Sequence, residues 1–242
     1  MRLIIVRHAE PDYSIDSLTE KGWREAELLS ERLSKLDVKA CYCSPLGRAQ
    51  DTSKATLKKL GMTAETLPWL CEFRGQIVDE EKGGVRNSWD LKPHYWTAQD
   101  DLYDREKWLD NDIIKSVNTV EQYKMVAEGI DELLEKHGYR HNGKYYDVVK
   151  ENRDTIILFC HFAVEMVILS HIWGVSPVPL WHAFVALPSS VTTLVSEERE
   201  QGKAYFRCNA FGDISHLYAG NEPPSFMARF CENYSCSEER HS

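Results

Sequence analysis

The chain has 242 residues, 43% hydrophobic and 28% charged, a composition that excludes wholesale disorder, collagen and coiled coil. At this length roughly 73% of the extended chain's surface can be buried, enough for a sizeable core without disulfides or metal. The net charge of −9 counts against a non-specific nucleic-acid binder, and no apolar run approaches the roughly 18 residues of a membrane span.

The apolar run at residues 3–6 is too short for a signal-peptide core and is closed by Arg7, so the cytoplasm is the expected location. Seven cysteines contain no C-x-x-C pair; Cys41-x-Cys43 and Cys231-x4-Cys236 come nearest, and all read as reduced thiols. No internal repeat or low-complexity stretch is present.

Residues 2–6 form an apolar run suited to a strand buried on both faces of a parallel sheet. Leu18-Thr19-Glu20-Lys21-Gly22 opens a helix with Thr19 as N-cap, and Trp23, Ala26, Leu29, Leu33 and Leu36 keep helical spacing. A short strand at 39–43 follows. Pro45 introduces a second helix, 47–60, that stops at Gly61, and 63–67 is a third strand. The rhythm is lost over 73–118, which holds Gly75, Gly83, Gly84 and Pro93 among Trp89, Tyr95, Trp96, Tyr103 and Trp108. A segment this long without pattern suits an inserted lid.

A helix over 120–136 restores the pattern. A hairpin over 139–149 turns around Asn142-Gly143. Residues 154–160 are the most apolar strand and lead directly into a helix at 163–173. Late strands at 191–195 and 203–207 pair across Gly202, and the tail beyond Gly220 has no pattern. The order β-α-β-α predicts one domain, 1–242. Its fold class is a three-layer α/β/α sandwich with a mainly parallel central sheet and the lid inserted at about 73–118.

In such sheets ligands sit beyond the carboxyl ends of the strands. The first strand ends in Arg7-His8, the second in Ser44-Pro45-Leu46-Gly47-Arg48, and the strand from 154 in Cys160-His161. Taken singly, these are a surface turn, a solvated first-turn arginine and a satisfied core-edge histidine. Together they gather four actual or potential cations at one sheet edge of an acidic protein, which calls for an anion. Arginine forks fit phosphate oxygens and histidine titrates near neutrality. The residues thus point to a phosphate site with a histidine as nucleophile or acid–base. No zinc-ligand spacing joins His8 and His161.

At these residues the chain resembles the histidine phosphatase superfamily, also called phosphoglycerate mutase-like. Arg7-His8-Ala9-Glu10 is similar to the family's R-H-G/A-E signature. Leu18-Thr19-x-x-Gly22 with Ala26 is similar to its L-T-x-x-G-x-x-Q-A start, with Glu25 where glutamine is common. Ser44-Pro45-Leu46-x-Arg48-Ala49-x-x-Thr52 follows its S-P-L-x-R-A-x-x-T segment. Glu72, His161, Ser189-Ser190-Val191-Thr192 and His216-Leu217 fall in matching order, so the resemblance covers about 1–72 and 154–217.

The resemblance implies that His8 attacks phosphorus and becomes phosphohistidine. Arg7, Arg48 and His161 hold the phosphoryl oxygens, and Glu72 protonates the leaving oxygen and then assists water. It implies no metal and no cofactor. Three positions depart from the pattern. Phe162 stands where glycine usually follows the second histidine, and Ser14 stands where some members carry a phosphate-binding asparagine. Phe73-Arg74-Gly75-Gln76 replaces the form ending in W-E-G. Glu10 and Glu165 are the other carboxylates near the motifs. Segment 89–108 either lines a leaving-group pocket or forms a small core under a long loop. Arg74, Arg86 and Lys92 either meet a second anionic group or are solvated. The expected activity is hydrolysis of a small phosphorylated metabolite. Mutase-type phosphoryl transfer and a catalytically silent phosphoryl-binding module are the alternatives, and neither nucleic acid nor membrane is an expected partner.

Overall fold

The computed structural model describes residues 1–79, 81–225, 227, 234 and 235. Cys231, Cys236 and most of the patternless tail lie outside the described residues. The chain opens with β1 (Arg2–Arg7), a small ladder of β2 (Pro11–Asp12) and β3 (Ser17–Leu18), then α1 (Glu20–Leu33), β4 (Ala40–Cys43), α2 (Gly47–Leu60) and β5 (Ala64–Thr66). A hairpin of β6 (Gln76–Val78) and β7 (Val85–Asn87), the short α3 (Pro93–Trp96) and α4 (Thr119–Lys136) follow. Next come the hairpin β8 (Tyr139–Asn142) and β9 (Tyr145–Val148), β10 (Thr155–Cys160), α5 (Phe162–Trp173) and α6 (Pro177–Ala183). The last elements are β11 (Val191–Glu200), β12 (Lys203–Asp213) and α7 (Ser215–Ala219).

Eight strands form one sheet in the order β5-β4-β10-β1-β11-β12-β9-β8. The expected parallel pairing holds for β5, β4, β10 and β1. The other half is antiparallel, so the sheet is mixed rather than mainly parallel. For β8 with β9 and β11 with β12 the reason is local, because a two-residue turn joins only antiparallel neighbours. Gly143 and Gly202, both at positive φ (65° and 77°), make such turns. The first turn is Gly143-Lys144, with only its first residue at positive φ, rather than Asn142-Gly143. The late strands run to Glu200 and Asp213, well past the apolar stretches that announced them.

Strand pleating divides the core in two. Leu3 and Ile5 of β1 and Ile156 and Leu158 of β10 face the side packed by α4, α5 and α6. Ile4, Val6, Ile157 and Phe159 face the side packed by α1 and α2. In α1, the Thr19 hydroxyl accepts from Gly22 N at 3.0 Å as the cap. Ala26, Leu29 and Leu33 form the buried stripe. Trp23, expected in that stripe, lies at its margin and is 43% exposed. The helix stops at Leu33, so Leu36 packs on the core edge from the following turn. Helix α6 was not expected; Ser176 caps it and Pro177 fills its first turn, both start signals.

Segment 73–118 is stitched into the α4–α5 side. Ile77, Leu102, Trp108 and Ile114 are fully buried there. Trp108 stands edge-on to Tyr123 at 4.8 Å and to Trp181 at 6.3 Å between ring centroids. Among the described residues, no helix is long and apolar enough to cross a membrane. Removing a buried indole costs about 3–5 kcal/mol. Trp108→Ala should lower unfolding stability by that amount in urea titration. A loss below about 1 kcal/mol, the usual range of a surface change, would show that the segment is not part of the core.

Candidate active site

Strands β1 and β10 pair in parallel with Arg7 opposite Cys160. His8 and His161 are therefore the next residues on each side, and His8 N donates to the Cys160 carbonyl at 3.0 Å. Their ring centroids are 5.1 Å apart. From the other flank, Ser189 N donates to the His8 carbonyl at 3.0 Å and Arg7 N to the Ser190 carbonyl at 3.1 Å. Ser189 reaches this position in the left-handed region, at φ 59°. Its hydroxyl meets His216 Nε2 at 3.1 Å, and burial pushes that imidazole down to a pKa of about 4.

His8 is 1% exposed, and its Nδ1 lies 2.8 Å from the Ala9 carbonyl. A carbonyl only accepts, so Nδ1 carries the hydrogen and Nε2 keeps a free lone pair. Burial, and then the charge of Arg7, hold its pKa well below the ordinary histidine value. The resting ring is thus neutral at pH 7.

His161 Nε2 lies 2.8 Å from the Ser44 hydroxyl, while its Nδ1 is buried without a partner. Ser44 Oγ already accepts from Leu46 N at 3.2 Å. The Ser44 hydroxyl can give its own hydrogen to Nε2, an arrangement in which the His161 proton sits on Nδ1 as an unspent donor. Burial, followed by neighbouring His8, Arg48 and Arg7, holds this ring also well below the usual value.

Arg7 donates through Nη1 to the Ala186 carbonyl, and its guanidinium lies over the Phe162 ring at 5.7 Å. The aromatic residue in place of a small one thus supplies a cation–π floor. Arg48, in the first turn of α2, pairs with Asp16 at 2.7 Å and lies 5.4 Å over Tyr13. Asp16 also accepts from Gly47 N at 2.7 Å, in a left-handed conformation at φ 48°. A Cβ on residue 47 would run into the Asp16 carbonyl, so glycine is required there. The Nε atoms of both arginines are buried without partners.

Glu72 completes the group. Its Oε1 accepts from Phe73 N at 2.9 Å and from Ala163 N and Val164 N at 3.0 and 3.3 Å. Burial raises its pKa above the ordinary carboxylate value, against the pull of the Phe73 amide and of Arg7 and Arg48. Oε2 is left as the oxygen to carry a proton.

The fold thus brings together His8, Arg7, Arg48, Glu72 and His161. Ser14 is not with them: it is exposed, and its hydroxyl is tied to Asp12 at 2.5 Å. Its loop meets the site through Tyr13 and Asp16. Glu10 is engaged by the hydroxyls of Thr19 and Ser225 at 2.7 and 2.6 Å. Glu165 is buried beside Thr192, and burial pushes its pKa up to about 7. Arg74 lines the same pocket as Arg48 and Glu72, with Asn87, Trp89 and Asn118. Arg86 pairs with Asp79 and Asp90, and Lys92 with Glu81. Segment 89–108 therefore does both things expected of it in part, with Trp89 on the pocket and Trp108 in the core. Sequence reading missed Asp16, Ser44 and Ala186 as partners. Only Ser44 lay inside a recognised motif. Together the residues can accept a phosphoryl group: one free imidazole nitrogen, several unspent cationic donors and one buried acid.

A model of the histidine phosphatase superfamily (branch 1) matches residues 3–208. A 2,3-bisphosphoglycerate-dependent phosphoglycerate mutase of Thermoplasma acidophilum is 38% identical over 97 residues, which is 34% of this chain and 48% of that protein. The chain thus spans about half the length of that relative. A probable phosphatase of Schizosaccharomyces pombe is 23% identical over 90% of this chain and 95% of its own length. Among solved structures, a phosphoserine phosphatase of Entamoeba histolytica superposes with TM-score 0.58 at 17% identity, covering 89% of this chain and 98% of its own. An α-ribazole phosphatase of Shigella flexneri gives 0.57 at 19%, covering 88% and 97%. At these identities the structures show a shared fold.

Glu25, below the Glu10 loop, generates a pH prediction. It is fully buried, accepts from Glu10 N at 2.8 Å through Oε2, and has Lys21 Nζ 3.9 Å from Oε1, beyond hydrogen-bond reach. Burial pushes its pKa up to about 7. The folded state then binds this proton more tightly than the unfolded state, so stability falls as pH rises from the ordinary carboxylate range through 7. Glu25→Gln keeps the acceptor and removes the charge. It should stabilise the protein at pH 8 by up to about 3 kcal/mol and change little at pH 4. Glu165 retains its own share of the slope. Denaturant titration across pH checks this, and an unchanged slope would refute it.

Proposed function

The chain belongs to the histidine phosphatase superfamily, and we propose that it hydrolyses a phosphomonoester of a small metabolite through a phosphohistidine at His8. The bond from His8 Nδ1 to Ala9 carries this reading, because it leaves Nε2 bare and fixed among Arg7, Arg48 and His161. Neutral His8 attacks phosphorus through Nε2. Arg7 and Arg48 meet the non-bridging oxygens with their forks, and His161 donates from Nδ1. Protonated Glu72 gives its proton from Oε2 to the leaving oxygen, so an alcohol departs. Ionised Glu72 then takes a proton from water as that water attacks the phosphoenzyme. Phosphate leaves and His8 is restored.

These cationic groups neutralise the phosphoryl oxygens, so the chemistry needs no metal or cofactor. Within one domain, 73–118 serves as the lid on the leaving-group side. Arg74 forms no ion pair among the described residues, which suits a substrate with a second anionic group beside the phosphate. The partial likeness to a phosphoglycerate mutase supports a second reading, return of the phosphoryl group to a sugar acid. A screen of phosphomonoesters by phosphate release, run beside 3-phosphoglycerate isomerisation, separates the two.

A substrate labelled on phosphorus should leave acid-labile, alkali-stable label on the protein after rapid quenching, and His8→Ala should leave none. Near wild-type turnover by His8→Ala would overturn the nucleophile assignment.

Glu72→Gln keeps the side-chain size and removes the proton. General acid catalysis contributes typically about 10²–10⁴-fold where the leaving group demands it. The variant should lose that much in single-turnover phosphorylation with an alkyl phosphate. It should lose far less with p-nitrophenyl phosphate, whose anion departs unaided. Equal losses on both would restrict Glu72 to shaping the site.

A further inference from the structure

On the far side of α5 from this pocket, three side chains from separate elements converge. Asp131 of α4, His141 of β8 and His171 of α5 bring their ligand atoms within 4.8 Å of one another. His141 Nδ1 lies 3.0 Å from Asp131 Oδ2, and His171 Nε2 lies 2.9 Å from Asp131 Oδ1. The second contact is of ion-pair length and departs from ideal hydrogen-bond geometry, and both atoms are buried. One carboxylate thus stands between two imidazole nitrogens, with a ligand atom of each of the three side chains turned to a common centre. At metal–ligand bonds of about 2.1 Å, ligands of one tetrahedral ion stand roughly 3.4 Å apart, within reach of small side-chain rotations here.

The surroundings fit such an ion. The His141 and Tyr146 rings stack at 5.0 Å, and Tyr123 stands edge-on to His171 at 6.3 Å, giving aromatic walls. The three side chains remain partly exposed, at 19%, 14% and 30% for His141, His171 and Asp131, so water can supply a fourth ligand. Arg105, the cation beside this corner, is engaged by the Gly143 carbonyl at 2.9 Å. Two imidazoles and one carboxylate are a donor set for borderline divalent metals rather than for magnesium or calcium.

We propose that Asp131, His141 and His171 bind a divalent transition-metal ion of the zinc class, joining α4, β8 and α5. Helix α5 rises ~1.5 Å per residue, so His171 stands about 14 Å along it from the end that holds Glu72. The ion is structural and stays outside the phosphoryl chemistry.

Chelator-stripped protein titrated with Zn²⁺ by calorimetry should bind one ion per chain. Co²⁺ should give visible d–d bands. His141→Gln and His171→Gln should each weaken Zn²⁺ binding at least tenfold and the double variant should abolish the Co²⁺ bands, while p-nitrophenyl phosphate hydrolysis is kept and reports a folded protein. Should the double variant fail to fold, X-ray absorption of the zinc-loaded wild type decides. Nitrogen and oxygen at about 2.0–2.1 Å support the site, and sulfur at about 2.3 Å overturns it. No binding by the wild type, or binding unchanged in the folded double variant, also overturns the proposal.

Discussion

The register of β1 against β10 is the constraint on which the site depends. Arg7 opposite Cys160 makes His8 and His161 neighbours, and a slip of one residue would exchange the two faces of the strand that shifted. Leu3, Ile5, Ile156 and Leu158 on one face and Ile4, Val6, Ile157 and Phe159 on the other oppose that slip. The hydrophobic core therefore sets the spacing of the two imidazoles. The antiparallel partner β11 adds a second lock, because Ser189 and Ser190 hold the backbone of His8 and Arg7 from the opposite side. That lock requires a serine in the left-handed region, a strain tolerated where the surrounding structure fixes it.

Charge in the site is balanced unevenly. Arg48 has Asp16 at 2.7 Å, whereas Arg7 forms no ion pair among the described residues and meets the Ala186 carbonyl and the Phe162 face. Two imidazoles that burial keeps neutral add no further positive charge until an anion arrives. A dianionic phosphoryl group changes that balance, since it rewards the unspent donors at Arg7 Nε, Arg48 Nε and His161 Nδ1. Burial, which penalises the resting charges, also strengthens their attraction for the ligand.

Legibility in the sequence followed how local each cause was. The parallel half of the sheet, the cap at Thr19, the stop at Gly61 and the strand ends carrying His8, Arg48 and His161 were readable, because each depends on a short stretch of chain. The antiparallel half was under-read because β11 and β12 continue into charged residues with weak strand patterning. The Asp16–Arg48 pair spans a loop and a helix start, and no periodicity announces it. Ser14 had the right loop and the wrong side chain: its hydroxyl turns back to Asp12, while Tyr13 and Asp16 reach the arginine. Glu72 was readable only through the resemblance, since its environment is made by the amides of a helix 91 positions later.

That environment explains how one carboxyl serves both halves of the proposed cycle. Burial favours its neutral form, and the amides of Ala163 and Val164 at the start of α5 favour the ionised form. Burial outweighs these donors, so the pKa lies above the ordinary carboxylate value, the direction an acid requires. Once the proton has gone to the leaving oxygen, the carboxylate already rests on three backbone donors, with no reorganisation needed to hold the charge. It can then draw a proton from water and return to its starting state. The helix that bears these amides begins directly after His161, so a single backbone segment positions both the proposed hydrogen-bond donor to the phosphoryl oxygens and the proposed acid–base group. Any displacement of α5 would disturb both together, which makes the packing of this helix, buried along nearly its whole length, part of the proposed catalytic arrangement.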